Sequence, residues 1–312
     1  MALPTSAPTV EPAAFGRFDR ILAVHGVVEV AVRVVSGHIN ISAADVAQVE
    51  IRAVARARPG RVPAGELERR IRALQAQPPI EQHGNIIKVG NLAGREVERQ
   101  LSVSYDLLVP FVTRLVCRAW SGSIAVEGTV GSLDAATDCG AINVTDVRGD
   151  VHAAVGAGEI EIQSVRGRVT LSTASGPILA GHLTGPLRAA SGSGSVTVEH
   201  AATDDLQVTT GSGSIDLRDV GGTIRAASSS GSIDVEGRPG EGAWTLVSAS
   251  GNLTVRLPPD AGFDLRARTV SGSLETRRPV ASLFLARQAR GRAGDGALRL
   301  ELATLTGDIH IE

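Results

Sequence analysis

Two histidines, His182 and His200, each stand six residues after a glycine of a recurring phrase, and this spacing is the most chemical feature of the sequence. In stacked parallel strands they would lie on adjacent layers about 5 Å apart, close enough for a metal to bridge. No carboxylate or third histidine is counted in register with them, so the pair reads as a solvated ladder of turn residues. The seven histidines form no His-Glu-x-x-His, and Cys117 and Cys139 form no Cys-x-x-Cys, so the zinc signatures are missing. Cys117 falls at an inward position and should behave as a small hydrophobe. Cys139 stands beside Gly140 in a turn, in a different column, so no bridge between the two is expected.

Glu161, Asp216 and Asp234 share an outward column, and paired carboxylates could serve glycoside chemistry. Leu179 and Thr197 occupy the intervening layers and should keep these acids apart. A lyase site would also want a basic residue beside an acidic metal cluster, and the only lysine is Lys88. Gly211-Ser212-Gly213-Ser214 is a turn of the repeat and not a phosphate cradle, since no Gly-x-x-x-x-Gly-Lys-Ser/Thr occurs. Serines that recur beside a glycine in every repeat are turn residues and not nucleophiles. No catalytic, cofactor-binding or metal-ligating residue is assigned, no cofactor is implied, and the chain reads as a non-enzyme.

The elements that place these residues follow from one phrase. Ser121-Gly122-Ser123-Ile124-Ala125-Val126 returns as Ser230-Gly231-Ser232-Ile233-Asp234-Val235, with looser copies at Gly140, Gly158, Gly176, Gly194 and Gly213. The steps from Gly122 to Gly231 are 18, 18, 18, 18, 19 and 18 residues, the mark of a solenoid. Residues two and four after each glycine are apolar, as are those seven and five before it, so alternation puts them on one face of each strand. A second glycine about nine residues on (Gly131, Gly149, Gly167, Gly185 and Gly222) supplies the other turn. The reading is an all-β, single-stranded parallel β-solenoid of roughly 18-residue coils with two short strands each, its handedness open.

Composition agrees. Hydrophobic residues make up 43% of the 312 and aromatics only 3%, which suits a thin interior of Ala, Val, Ile and Leu. A net charge of −2 draws the chain to neither nucleic acid nor anionic lipid. Arg52–Arg72 and Arg277–Arg292 are rich in arginine and read as solvated faces. Met1–Arg20 shows no secretory pattern, and no run is long enough to span a membrane, which predicts a cytoplasmic protein as written, with a cell-surface role left open.

In chain order, 1–16 is a disordered lead-in and 17–112 a β-rich N-terminal cap region. Within it Leu67, Ile71 and Leu74 predict one amphipathic helix at about 65–77, covering the exposed first coil. The solenoid runs from 113 to 312, with an insertion at about 278–297 whose apolar stretch 281–286 is expected to cap the last coils, a contact site for a partner being the alternative. Thr306–Ile311 supplies the final strand.

The whole set resembles a bacterial β-strand-repeat family of unknown function labelled "putative adhesin". It rests on the Ser-Gly-x-Ile-x-Val repeat, the opening Ser36-Gly37-His38-Ile39, the lead Val103-Ser104-Tyr105-Asp106-Leu107-Leu108-Val109-Pro110, and Leu257-Pro258-Pro259-Asp260-Ala261-Gly262-Phe263. The resemblance covers roughly 17–312 and implies a β-solenoid with no known catalytic residues. The expected function is an adhesin-like scaffold presenting repetitive polar faces to a macromolecular partner, protein or glycan. Self-assembly into an oligomer or filament is the alternative, and a carbohydrate-binding or carbohydrate-active β-helix the third reading.

Overall fold

The computed structural model describes residues 15–58, 64–90, 101–238, 242–278, 281–285 and 287–312. Among the described residues the chain forms a 14-stranded sheet, a 15-stranded sheet and one helix, Ala64–Ala76. Through the middle, successive strands alternate between the sheets. Leu133–Cys139 and Val151–Ala157 lie in the larger sheet, and Ile142–Arg148 and Ile160–Arg166 in the smaller. Pairing is parallel, with Leu133 opposite Val151, Val151 opposite Val169, Ile142 opposite Ile160 and Ile160 opposite Ile178.

The side-chain period of two divides each strand between core and water. In Val151–Ala157 the buried residues are Val151, Ala153 and Val155, with His152 exposed between them. Each inward Ile, Val or Leu contributes about 1.5–3 kcal/mol relative to exposure. The bulkiest fully buried side chains, Trp244, Tyr105 and Phe263, all lie outside the regular run. There the interior has to be filled by larger groups than Ala and Val.

The repeat glycine is required by contact as much as by conformation. At Gly140, φ is +147° and a Cβ would sit 2.2 Å from the Gly122 carbonyl oxygen. Three residues before this glycine, a buried hydroxyl ties one layer to the next. Thr137 donates to the Gly122 carbonyl (3.0 Å), Thr210 to Gly194 (2.9 Å), Ser228 to Gly213 (3.0 Å) and Ser248 to Gly231 (2.9 Å). These hydroxyls satisfy interior carbonyls and were not singled out by the sequence pattern.

The ends depart from chain order. Near the N-terminus, Val28–Ser36 lies between Ile86–Val89 and Thr113–Ser121, and Ile39–Ala44 lies between Leu101–Pro110 and Ile124–Glu127. The isolated early phrase is therefore in register with the array, Ile39 standing opposite both Ile124 and Tyr105. Gln48–Ala57 and then Phe15–Ala23 extend the smaller sheet with antiparallel pairing. The helix packs on this last strand. Leu67, Ile71 and Leu74 are buried, Ile71 closes over Gly16, and the Gln75 amide donates to the Arg17 carbonyl at 2.9 Å. This corrects the expected placement over an exposed first coil, because Val28–Ala44 has strands on both sides. Of the expected lead-in, 1–14 fall outside the described residues, while Phe15 and Gly16 already belong to a strand.

The C-terminal end repeats this interleaving. Leu298–Thr306 fits between Gly242–Ser250 and Phe263–Ser271, and Ile309–Ile311 between Leu253–Arg256 and Leu274–Thr276. The last strand in sequence is thus not the last in space. Within the expected insertion, Ala281–Leu285 pairs antiparallel with Gln288–Ala293, which pairs antiparallel with Phe263–Ser271, and this hairpin ends the larger sheet. The expected packing of 281–286 concerns side chains outside the described residues.

Candidate functional site

Three surface features bring polar groups together. The first is the turn ladder. Asp146, Ser164, His182, His200 and Asp219 stand one per repeat, all with φ between +49° and +58°, a conformation in which Asp, Asn and His are over-represented among non-glycine residues. The rings of His182 and His200 stack with centroids 4.9 Å apart and an interplanar angle of 12°. His200 Nδ1 hydrogen-bonds Asp219 Oδ2 at 2.7 Å. The reading that no carboxylate falls in register is therefore corrected. Asp219 stands six residues after Gly213, as Asp146 does after Gly140, so the count that places the histidines places these carboxylates too. Among the described residues no group of three or more His, Cys, Asp or Glu side chains is placed to hold a metal ion.

The second feature is the outward column of the smaller sheet. Glu161 lies opposite Leu179 and Thr197 opposite Asp216, so Glu161 is separated from the other acids as the spacing implied. Asp216 and Asp234, however, stand directly opposite each other. Each is held by an arginine two residues further along its own or the next strand. Arg218 donates to Asp216 at 2.6 Å and to Glu199 at 3.2 Å, and Arg256 donates to Asp234 at 2.6 Å. Arg256 also lies 3.3 Å from Glu312, which in turn is 3.1 Å from Arg277. Slight burial works against the charge of Arg256, but Asp234 and Glu312 outweigh it and its pKa is raised.

The outward faces of the two sheets differ in sign. Between residues 124 and 256 the smaller sheet carries Glu127, Asp146, Glu161, Glu199, Asp216, Asp219, Asp234 and Glu236 against Arg148, Arg166, Arg218 and Arg256, none of them buried. The larger sheet carries Arg114, Arg118, Arg188, Arg225, Arg266 and Arg268 against fewer acids such as Asp134 and Glu301, also none buried.

The third feature is a set of open clefts. One of about 430 Å³ lies among Asp219, Glu236, Arg238, Arg256 and Pro258, and one of about 230 Å³ among Asn40, Glu50, Arg52 and Asp106. A third, about 590 Å³, lies on the larger sheet among Thr245, Val247, Arg266, Arg268, Arg290 and Glu301. Of the arginines in the run near the C-terminus only Arg290 lines it, while Arg266 and Arg268 come from the strand Phe263–Ser271.

Neither cysteine is bridged, Cys117 being buried and Cys139 exposed. Burial pushes the Cys117 thiol up to about 12, with smaller opposing contributions from Arg118 and Asp134, so it is the inert one.

Among the described residues no helix is long and apolar enough to cross a membrane. A family model, Toastrack DUF4097, matches residues 127–312. No curated protein matches. The chain is similar over 95% of its length to a "putative adhesin" of Bacteroides fragilis, at 11% identity, with 97% of that chain covered and a TM-score of 0.32. A "putative cell adhesion protein" of Clostridium sporogenes gives 10% identity, 95% and 98% coverage and a TM-score of 0.22. A "putative lipid binding protein" of Parabacteroides distasonis gives 10% identity, 95% and 97% coverage and a TM-score of 0.35. At these scores the likeness transfers no function.

Proposed function

The chain belongs to the Toastrack DUF4097 family, and from that premise we propose that it is a non-enzymatic, adhesin-like β-solenoid scaffold that presents its outer sheet faces to a macromolecular partner. Each repeat of roughly 18 residues then acts as one coil, giving a strand to each sheet. The observation that carries this reading is the sharp division of side chains. Apolar residues fill the interior, while two extended polar faces of opposite sign run along the stacked strands. The acids of the smaller sheet support it, because Asp216 and Asp234 are occupied by arginine, whereas glycoside hydrolysis asks one carboxyl group to stay protonated.

The test uses the immobilised full chain and two charge-reversed variants, one per face. Glu161→Lys with Asp234→Lys should abolish capture of a given partner if it binds the acidic face, and Arg188→Glu with Arg225→Glu if it binds the other. A partner retained equally by both variants, or none retained by the wild type, counts against the proposal.

The opposite signs of the two faces favour one second reading, self-assembly with the acidic face of one copy on the basic face of another. Light scattering should then show oligomers at low salt that dissociate above about 0.5 M salt, where the screening length falls to a few ångströms. A strict monomer at low salt and high concentration removes this reading.

A further inference from the structure

We propose that the cleft of about 590 Å³ on the outer face of the larger sheet is a binding site for a phosphomonoester dianion. Arg266 and Arg290 stand directly opposite each other on antiparallel strands. Like charges in that position destabilise a sheet. The same two strands show the usual solution one step away, where Asp264 faces Arg292. Arg268 adds a third guanidinium two residues along the same strand as Arg266. Among the described residues neither Arg268 nor Arg290 has an ion-pair or hydrogen-bond partner, and Arg266 reaches Glu301 only at 3.9 Å. Some arginines nearer the middle of the molecule are paired, as Arg225 is held by Asp205 at 2.9 Å and Arg218 by Asp216, but they do not face another arginine across the strands as Arg266 and Arg290 do.

Three guanidinium groups against the one carboxylate of Glu301 leave a charge of +2 in the cleft. A phosphomonoester carries about −1.5 to −2 at neutral pH and offers three acceptor oxygens. Planar guanidinium forks match such oxygens in pairs, and Thr245 and Gln288 add neutral donors at the rim. Beside the cleft, the neighbouring Val270 and Leu305 are 59% and 57% exposed, an apolar shelf next to the charged hollow. The phosphate could therefore come from solution or from a lipid headgroup whose chains meet that shelf.

The experiment measures inorganic phosphate binding by calorimetry and by thermal shift, with ionic strength matched by sodium chloride. Wild type should bind saturably, and its Tm should rise with phosphate. Arg268→Gln with Arg290→Gln should weaken binding at least tenfold and abolish the phosphate-dependent rise. In chloride alone its Tm should be unchanged or higher, since the repulsion has gone. That direction distinguishes a ligand site from arginines that merely support the fold, whose loss would lower Tm. Arg188→Gln, on the same sheet face but outside the cleft, should leave affinity within twofold of wild type. A second arm compares vesicles of phosphatidylcholine with and without phosphatidic acid. Vesicle binding that needs phosphatidic acid and is lost in the double variant assigns the phosphate to a lipid surface. Phosphate binding without vesicle binding assigns it to a soluble ligand. No saturable binding in either arm, or a double variant that binds as tightly as wild type, overturns the site.

Discussion

Between Leu133 and Gly237 each strand lies beside the strands one repeat before and after it, whereas at either end the chain skips a place and later returns to fill it. In the middle, Ile142 meets Ile160 and every layer sees only its neighbours in sequence. At the C-terminus, Gly242 meets Leu298 with three strands and a hairpin between them in sequence, and near the N-terminus Val30 meets Leu115. A stack of the first kind is nearly one-dimensional, its stability a sum of neighbour interfaces. A stack of the second kind closes long loops before its contacts form, which slows its assembly. In exchange, the first and last parallel strands in sequence are flanked on both sides, so neither can peel away as a free edge.

The largest effect should separate these two regimes by deletion. Removing residues 298–312 withdraws Leu298, Leu300, Leu302, Ile309 and Ile311 from between two layers. At about 1.5–3 kcal/mol each, their loss approaches the whole stability of an ordinary domain. We expect the segment 263–293 to become sensitive to protease and the urea midpoint to fall steeply. Removing residues 159–176 instead lets Ile142 meet Ile178 in the place of Ile160, and should give a folded protein with a modest loss. If the internal deletion proves the more damaging in urea melts, the contrast between middle and ends is wrong.

The next effect compares two glycines. Gly140→Ala forces a Cβ to 2.2 Å from the Gly122 carbonyl oxygen at φ +147°, with stacked backbone that cannot yield. The expected loss is about 3 kcal/mol or more, read from denaturant midpoints. Gly84, in the turn before Ile86–Val89 at the N-terminal edge, has φ +62°, and a Cβ there would meet nothing within 4 Å, so Gly84→Ala should cost only about 1 kcal/mol.

The middle was legible for the same reason that it is one-dimensional. Counting from the glycine picks out Ile124, Val126, Leu133 and Ala135 as inward, and all are buried. The stacking of His182 on His200 follows from the same count. What failed needed information the period does not carry. Which layer Val28–Ser36 joins, or where Leu298–Thr306 inserts, depends on pairing between distant segments, and every layer presents a similar apolar face. The helix was legible from Leu67, Ile71 and Leu74, but its partner strand Phe15–Ala23 was not, because that strand pairs antiparallel outside the repeat. Asp219, six residues after Gly213, is legible by the same count from the glycine. The arginine cleft arises from a hairpin cross-strand register, which no local spacing reveals.

The hydroxyl ladder gives a smaller test within the middle. Thr210→Val leaves the Gly194 carbonyl without its side-chain donor and should cost about 1 kcal/mol. Some layers of the column lack the hydroxyl, as Val155 stands three residues before Gly158 and Ala119 three before Gly122. Val155→Thr would bring a donor to the level of the Gly140 carbonyl and should be neutral or slightly stabilising. Equal losses from both substitutions, measured in urea, would mean that the ladder follows packing and not hydrogen bonding.

The smallest effect belongs to the C-terminal seam and is read by pH. Asp308 accepts hydrogen bonds from the Ser273 backbone N–H at 2.7 Å and from its hydroxyl at 2.8 Å, joining the inserted last layer to the outermost one. The backbone bond first and the hydroxyl second hold its carboxyl below the ordinary carboxylate range. A folded-state pKa below the unfolded value means that this stabilisation is fully present above the unfolded pKa. It is lost as pH falls from there through the folded pKa. Asp308→Asn should therefore lose this small contribution at neutral pH and converge on wild type as pH falls, which flattens the acid limb of its stability curve. The exposed setting keeps the effect small, and the change should appear in the melting of the 263–312 end and not of the middle. If the acid limb is the same in wild type and variant, the carboxylate is not what joins those two layers.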